Sequence, residues 1–367
     1  MKILQITIFL ASGGAERFVV DLSNELSKNN DVTLLTLKDD SVDSKNRNFY
    51  KCDLSPRVKY LNLGLGDGFH ATYLWKVYRA IKKINPEVVH MHGEGIPEYC
   101  YLACLLLGKK MTFVQTIHND LYKSCYNNWF YHLAYKTLAS RGLLRWAALS
   151  DTNYNQVKEV YPKAKSRCIY NGRAPITPTA KFEVVGEEIA RLKDDANTKV
   201  ILHVARCNPQ KNQELLINSF NALRQEGVNA ILLIIGAFFD SELGKHFQSI
   251  AGEGIHFLGT RHNISDYMLQ SDVFVLSSNF EGMPITLLEA MLSGTPMVST
   301  PVTGAVDVIN GKNGVLSKDF TEESYTAALK KILYNHQSYK EAAMAGKEAS
   351  PYTIKHCAEQ YMKFYKE

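Results

Sequence analysis

The chain has 367 residues, 46% of them hydrophobic and 22% charged, with a formal net charge of +5. That length and apolar content suit two domains that each bury a core, and they exclude a disordered chain. The seven cysteines show no C-x-x-C spacing, so neither a disulfide framework nor a zinc site is indicated, and a reducing, cytoplasmic setting is expected.

Lys2 and the apolar run Ile3 to Leu10 carry too little charge for a signal peptide and read as a first core strand. The longest apolar run, Tyr101 to Leu107, is far shorter than the roughly 20 residues that span a bilayer. Charge is unevenly divided: residues 1–172 hold 23 Lys and Arg against 15 Asp and Glu, and the remainder holds 19 against 22. A basic first half implies an anionic partner, either a membrane surface or a phosphorylated acceptor, while no nucleic-acid-binding module is recognisable.

Segments alternate from the start: strands over 2–9, 32–37, 57–63, 88–91 and 111–117, with helices over 15–28 and 71–83. Repeated βα units imply a parallel, doubly wound sheet. Ser12-Gly13-Gly14-Ala15-Glu16-Arg17 joins the first strand to the first helix, where glycines let the backbone approach a ligand at the helix's positive end. The dinucleotide fingerprint is absent, because Gly93-Glu94-Gly95 has Glu98 where the third glycine belongs, which counts against a nicotinamide enzyme. His118, just past the strand over 111–117, points towards the ligand crevice of such a sheet.

Residues 122–146 interleave aromatics and cations (Tyr122, Lys123, Tyr126, Trp129, Phe130, Tyr131, Tyr135, Lys136, Arg141, Arg145, Trp146), which suits a membrane interface as well as helix packing. A last strand over 167–172 precedes Pro175 and Pro178, which mark a linker, and a charged helix over 182–197 opens the second half. There, the strand 200–205 leads to Arg206 and Lys211, five residues apart, which suit one diphosphate as a planar fork and a point charge. No D-x-D occurs, so a metal is not needed for that neutralisation.

Further strands are read over 230–235 and 255–259. Then Asp272 to Leu276 is a buried strand, Pro284 suits the first position of a helix, and Gly294 with Pro296 stops it. Glu281 lies in the loop and Glu289 eight residues on, in the helix: two acceptors that suit sugar hydroxyls and a ribose diol beside free N–H groups. Helices over 322–334 and 351–366 close the chain.

With Gly282 and Pro284 between them, Glu281 and Glu289 resemble the E-x7-E signature of the retaining glycosyltransferases of family 4. Gly13-Gly14, His118, Asn171-Gly172 and Arg206 with Lys211 also have counterparts there, so the resemblance covers nearly the whole chain. Pro301 to Asp307 departs from it, having Ala305 and Asp307 where Gly and Glu are common.

The resemblance implies an α/β, GT-B architecture of two Rossmann-like doubly wound domains facing a central cleft. Residues 1–175 would bind the acceptor, 176–350 the nucleotide sugar, and 351–367 would cross back onto the first domain through Tyr352, Ile354, Tyr361, Phe364 and Tyr365. It also implies roles: Arg206 and Lys211 on the leaving diphosphate, Glu281 on sugar hydroxyls, Glu289 on the ribose and His118 by the reacting sugar. Gly13 and Gly14 would lie beside the diphosphate, Gly14 and Arg17 by the acceptor, and Thr260, Arg261, Gly282 and Met283 would complete the donor pocket. The implied activity is a retaining, metal-independent transfer of a hexose or N-acetylhexosamine, with a UDP-sugar as the favoured donor. The implied acceptor is a lipid-linked or cell-envelope glycan such as O-antigen or capsule, met at an anionic inner membrane face; no cofactor and no nucleic acid are expected. A sugar-nucleotide epimerase, a transferase to a soluble sugar, and a nucleotide-binding module without catalysis stay open as alternatives.

Overall fold

The computed structural model describes residues 1–93, 95–118, 121–122, 129–348 and 350–367. Two compact units are formed, one by residues 1–174 with 352–367 and the other by residues 175–351.

In the first unit the chain runs β1 (Lys2–Thr7), α1 (Gly14–Leu26), β2 (Asp31–Lys38), α2 (Ser44–Arg47), β3 (Lys59–Leu65), α3 (Ala71–Ile84), β4 (Val88–His92), α4 (Ile96–Leu107), β5 (Thr112–Ile117), α5 (Trp129–Ser140), β6 (Arg145–Ala148), α6 (Asp151–Val160) and β7 (Ser166–Cys168). These strands make one parallel sheet in the order β3-β2-β1-β4-β5-β6-β7. The apolar runs Ile3-Leu4 and Val88-Val89 are buried because helices cover both faces of such a sheet.

The second unit runs α7 (Phe182–Leu192), β8 (Lys199–Val204), α8 (Gln213–Gln225), β9 (Ala230–Ile235), α9 (Glu242–Ile250), β10 (Ile255–Gly259), α10 (Ile264–Leu269), β11 (Val273–Leu276), α11 (Ile285–Ser293), β12 (Met297–Ser299), α12 (Ala305–Val308), β13 (Gly314–Leu316), α13 (Glu322–Tyr334) and α14 (His336–Glu348). Its sheet is also parallel, in the order β10-β9-β8-β11-β12-β13. The strand order reverses between β8 and β11, which opens a crevice at their carboxyl ends.

The last helix, α15 (Ile354–Lys366), belongs to the first unit and packs on α1. Thr353 caps it by accepting from the His356 N–H, and Tyr361, Phe364 and Tyr365 are buried. Entry is fixed by backbone pairing: Arg173 N–H donates to the Tyr352 carbonyl at 3.0 Å and Ile354 N–H to the Arg173 carbonyl at 3.0 Å. Gly172 is required there, since a Cβ would lie 2.5 Å from the Thr353 carbonyl oxygen.

Several expected boundaries shift. The charged stretch over 182–197 is helical only to Leu192, and the strand over 167–172 shrinks to Ser166–Cys168. Pro284 is the N-cap of α11, with extended backbone (ψ 115°), so the helix begins at Ile285. Gly294 ends it in the left-handed conformation, φ 72°, as its place demands.

Within the aromatic stretch over 122–146, Tyr135, Arg145 and Trp146 are structural. Trp146 lies on β6 and stacks on Tyr161 with centroids 4.9 Å apart, Tyr135 is buried, and Arg145 donates to the Phe364 carbonyl at 2.9 Å. Tyr122 donates to Glu159 at 2.6 Å, while Lys136 and Arg141 are exposed. Lys123 and Tyr126, and the side chains of Trp129, Phe130 and Tyr131, lie outside the described residues.

Candidate functional site

In the second unit two loops meet at the switch point. The loop after β8 carries Arg206 and Lys211. Asn208 accepts from the Gln210 N–H at 2.8 Å and starts a 3-10 turn, Pro209–Lys211, which Asn212 ends in the left-handed region at φ 48°. The loop after β11 carries Glu281. The loops are stitched by Asn279 N–H to the Gln210 carbonyl at 2.8 Å, Gln210 Nε2 to the Phe280 carbonyl at 2.9 Å, and Ser277 Oγ to the Lys211 carbonyl at 2.8 Å.

That stitching sets Lys211 Nζ 2.5 Å from Glu281 Oε1, and Ser278 Oγ donates to the same oxygen at 2.6 Å. Glu281 is 6% exposed, so its carboxylate is shielded from water, while Lys211 is partly exposed. Beneath it, His203 on β8 bonds the Val275 carbonyl through Nδ1 at 3.0 Å, and burial pushes its pKa down to about 4. Arg206 is exposed, and its guanidinium has no partner among the described residues. Glu289 is buried on α11. The third loop, after β12, closes on the second: a Cβ on Gly304, φ +77°, would lie 2.4 Å from the Gly282 carbonyl oxygen. Gly282 and Met283 are thereby held down and buried.

Thr260 and Arg261 are not brought to this pair. They follow β10, with β9 between that strand and β8, and Arg261 donates to Tyr267 at 3.1 Å and to Glu188 at 3.2 Å. Thr260 is exposed.

In the first unit, Gly13 is the N-cap of α1 and Gly14 its first residue. Gly13 has an ordinary extended backbone, and what its missing side chain leaves is room for the Glu16 carboxylate, which would lie 2.2 Å from a Cβ. Arg17, expected on the acceptor side, is engaged internally: its guanidinium donates to Asp21 at 2.7 Å and to Asp53 at 2.5 Å. It offers no unpaired charge.

His118 is half-buried past the end of β5, against Phe18, with ring centroids 5.8 Å apart. Its Nε2 lies 3.4 Å from His92 Nδ1, and His92 Nε2 lies 2.5 Å from Gln5 Oε1. Burial holds His118 down to about 4 and His92 well below the usual range, so both are neutral at physiological pH. Ser278, His92 and Gln5 were not foreseen. His90-Met-His92 at a strand end was the visible signal, but the contacts depend on β1 lying beside β4.

Two α/β units with parallel sheets, each with polar loops at the carboxyl ends of its strands, define a two-unit doubly wound protein. The second unit matches the family model "Glycosyl transferases group 1" over residues 184–349, and the first matches "Glycosyltransferase Family 4" over residues 12–174. The chain belongs to the glycosyltransferases of family 4 and has the GT-B fold. Among relatives, the O-antigen biosynthesis glycosyltransferase WbnH of Escherichia coli is 24% identical, covering 95% of this chain and 94% of its own. A UDP-Gal:alpha-D-GlcNAc-diphosphoundecaprenol alpha-1,3-galactosyltransferase of Escherichia coli is 27% identical, covering 67% of this chain and 64% of its own. Among solved structures, Anabaena HepE in complex with UDP and glucose superposes with a TM-score of 0.81 at 17% identity, covering all of both chains.

Proposed function

We propose that the protein transfers a hexose or N-acetylhexosamine from a nucleotide diphosphate sugar, UDP-linked, to a lipid-linked glycan of the cell envelope, with retention of anomeric configuration. The observation that carries this reading is the Lys211–Glu281–Ser278 cluster beside the unpartnered Arg206 at the switch point of the second unit. Relatives named for O-antigen synthesis and for a diphosphoundecaprenol acceptor, and a structural neighbour solved with UDP, support the choice of donor and acceptor.

Arg206 and Lys211 offset the charge that grows on the leaving diphosphate. Lys211 turns from Glu281 to phosphate as donor binds, and Glu281 exchanges its ammonium partner for sugar hydroxyls. Glu289 takes the ribose diol. In the transfer, the anomeric carbon–oxygen bond to the diphosphate breaks and the bond to the acceptor oxygen forms on the same face. The acceptor proton passes to the departing phosphate oxygen, and no metal is required. In the first unit, His118 is neutral and offers a ring nitrogen to a sugar hydroxyl.

A thermal-shift panel of UDP, GDP, ADP and their sugars tests the donor, because ligand at 100 times its Kd adds about 2.7 kcal/mol of stability. A shift with uridine nucleotides alone, lost in Glu289→Ala, is expected. Transfer to a diphosphoprenyl glycan in excess EDTA, with product anomer read by NMR, tests the rest. Nucleotide release that ignores every acceptor would sink the transferase reading.

A further inference from the structure

Eight exposed cations of the first half lie on one face of the first unit. Crossovers β3 to β4, β4 to β5 and β5 to β6 all step the same way along the sheet, so right-handed connections put α3, α4 and α5 on one face. α3 packs on α4 and α4 on α5, while α1, whose crossover steps the other way, carries α15 on the opposite face.

α3 buries Tyr73, Val77 and Ile81 and turns Trp75, Lys76, Arg79, Lys82 and Lys83 outward. Lys109 and Lys110 follow α4, Lys136 and Arg141 lie on and after α5, and all four are exposed. None of these cations pairs with a carboxylate among the described residues. From residue 68 to 86 and from 121 to 150 the sequence has no Asp or Glu, and Glu98 on α4 is buried, accepting from Tyr135.

Large apolar side chains stand out among the cations. Trp75 is 54% exposed, Phe69 just before α3 50%, Leu106 on α4 53% and Leu133 on α5 52%. A nucleic-acid backbone rewards the cations and leaves those apolar groups wet, and a second copy of the same face is repelled. An anionic lipid interface takes both, rings and aliphatic chains at headgroup depth and cations on phosphates.

We propose that the outer face of α3, α4 and α5, centred on Trp75 and the α3 cations, docks the first unit on an anionic lipid surface. This goes beyond the transferase reading and does not depend on it, because vesicle binding is read with neither donor nor acceptor present. It also centres the membrane contact on α3, while within the stretch over 122–146 the outer side of α5 and Arg141 take part and Tyr135 and Trp146 are core.

The test is sedimentation with vesicles of phosphatidylcholine, alone or in an equimolar mix with phosphatidylglycerol. Wild type is expected to sediment with the mixed vesicles at low salt, to be released by high salt, and to ignore the neutral ones. Lys76→Glu/Arg79→Glu/Lys82→Glu/Lys83→Glu is expected to bind at least about a hundredfold more weakly, since each cation contributes about a factor of five. Trp75→Ala is expected to lose about tenfold. The charge-matched control Lys181→Glu/Lys312→Glu/Lys318→Glu/Lys331→Glu, on exposed lysines of the second unit, is expected to keep most of the binding. If circular dichroism shows the fourfold α3 variant unfolded, Lys82→Gln/Lys83→Gln with Trp75→Ser carries the same comparison. The proposal is overturned if wild type ignores the mixed vesicles, if the control loses as much as the α3 variant, or if single-stranded DNA strips the protein from vesicles at equal phosphate.

Discussion

Lys211 and Glu281 form an ion pair whose carboxylate is buried and whose ammonium is partly exposed, so Glu281 depends on Lys211 for its main compensation. Removing one partner strands a buried charge, and Lys211→Ala is expected to destabilise the protein by about 3–5 kcal/mol. The double variant Lys211→Met/Glu281→Gln removes both charges and is expected to cost less than the single one. Urea unfolding of the three proteins checks this; equal costs would mean the pair is screened by solvent. Both variants are expected to lose most transferase activity.

The buried imidazoles give a pH dependence whose sign is fixed. Burial pushes His118 and His203 down to about 4 and holds His90 and His92 well below 6.5. The unfolded chain takes up these protons near pH 6.5, and the folded chain refuses them until much lower pH. Stability present above pH 6.5 is therefore lost as pH falls towards 4. A melting temperature lower at pH 5 than at pH 7.5 is expected, with a shallower fall in His203→Gln. A flat profile over that range would show that these rings charge freely in the folded state.

At the scale of elements, Gly304 couples two loops. Gly304→Ala forces a left-handed backbone on alanine and drives its Cβ towards the Gly282 carbonyl, 2.4 Å away. It is expected to cost about 2 kcal/mol or more and to weaken nucleotide-sugar binding. Gly311 has the same hand, φ +78°, with nothing within 4 Å, so Gly311→Ala is expected to cost less and leave binding intact. Paired unfolding and titration experiments separate strain from clash; similar losses in both variants would remove the steric argument.

The long strands were legible in the sequence because a parallel sheet buried on both faces needs unbroken apolar runs such as Ala230–Ile235. β13, three residues long, is too short to show a pattern, and β6 was hidden inside the aromatic stretch, whereas β12 shows as the apolar Met297-Val298 after Pro296. Arg206, Lys211 and Glu281 in loops, and Glu289 on α11, stand out in the sequence by type and spacing. Their partners did not: Ser278 meets Glu281 only because its loop folds back, and Gln5 meets His92 only across two strands 87 residues apart. The ion pair of Arg17 with Asp53 is illegible for the same reason, since Asp53 reaches it from a distant turn.

At the scale of the whole molecule, the first unit is built from two separate stretches of chain. Its α15 supplies Tyr361 and Tyr365, which reach Thr116 Oγ1 at 2.9 Å and His90 Nδ1 at 2.6 Å, and the carbonyls that receive Arg145. The fragment 1–174 lacks all of these and is expected not to fold, whereas the fragment 175–351 is expected to unfold cooperatively and to keep its uridine-nucleotide shift. Circular dichroism melts of the two fragments decide it. A cooperative melt from 1–174 would show that α15 is an accessory.

That division has a consequence for how the polypeptide matures on the ribosome. Everything but the closing helix of the first unit emerges early, but the residues that seal it are made only after the second unit. At about 5–20 residues per second, the intervening 175–351 delay closure by roughly 10–35 s. Throughout that interval the nascent first unit shows the apolar side of α1 to the cytosol while the second unit completes itself. A chaperone that covers bare apolar surface therefore has its longest task at the amino-terminal half, and emergence of residues 352–367, rather than synthesis of that half, starts the clock for its assembly.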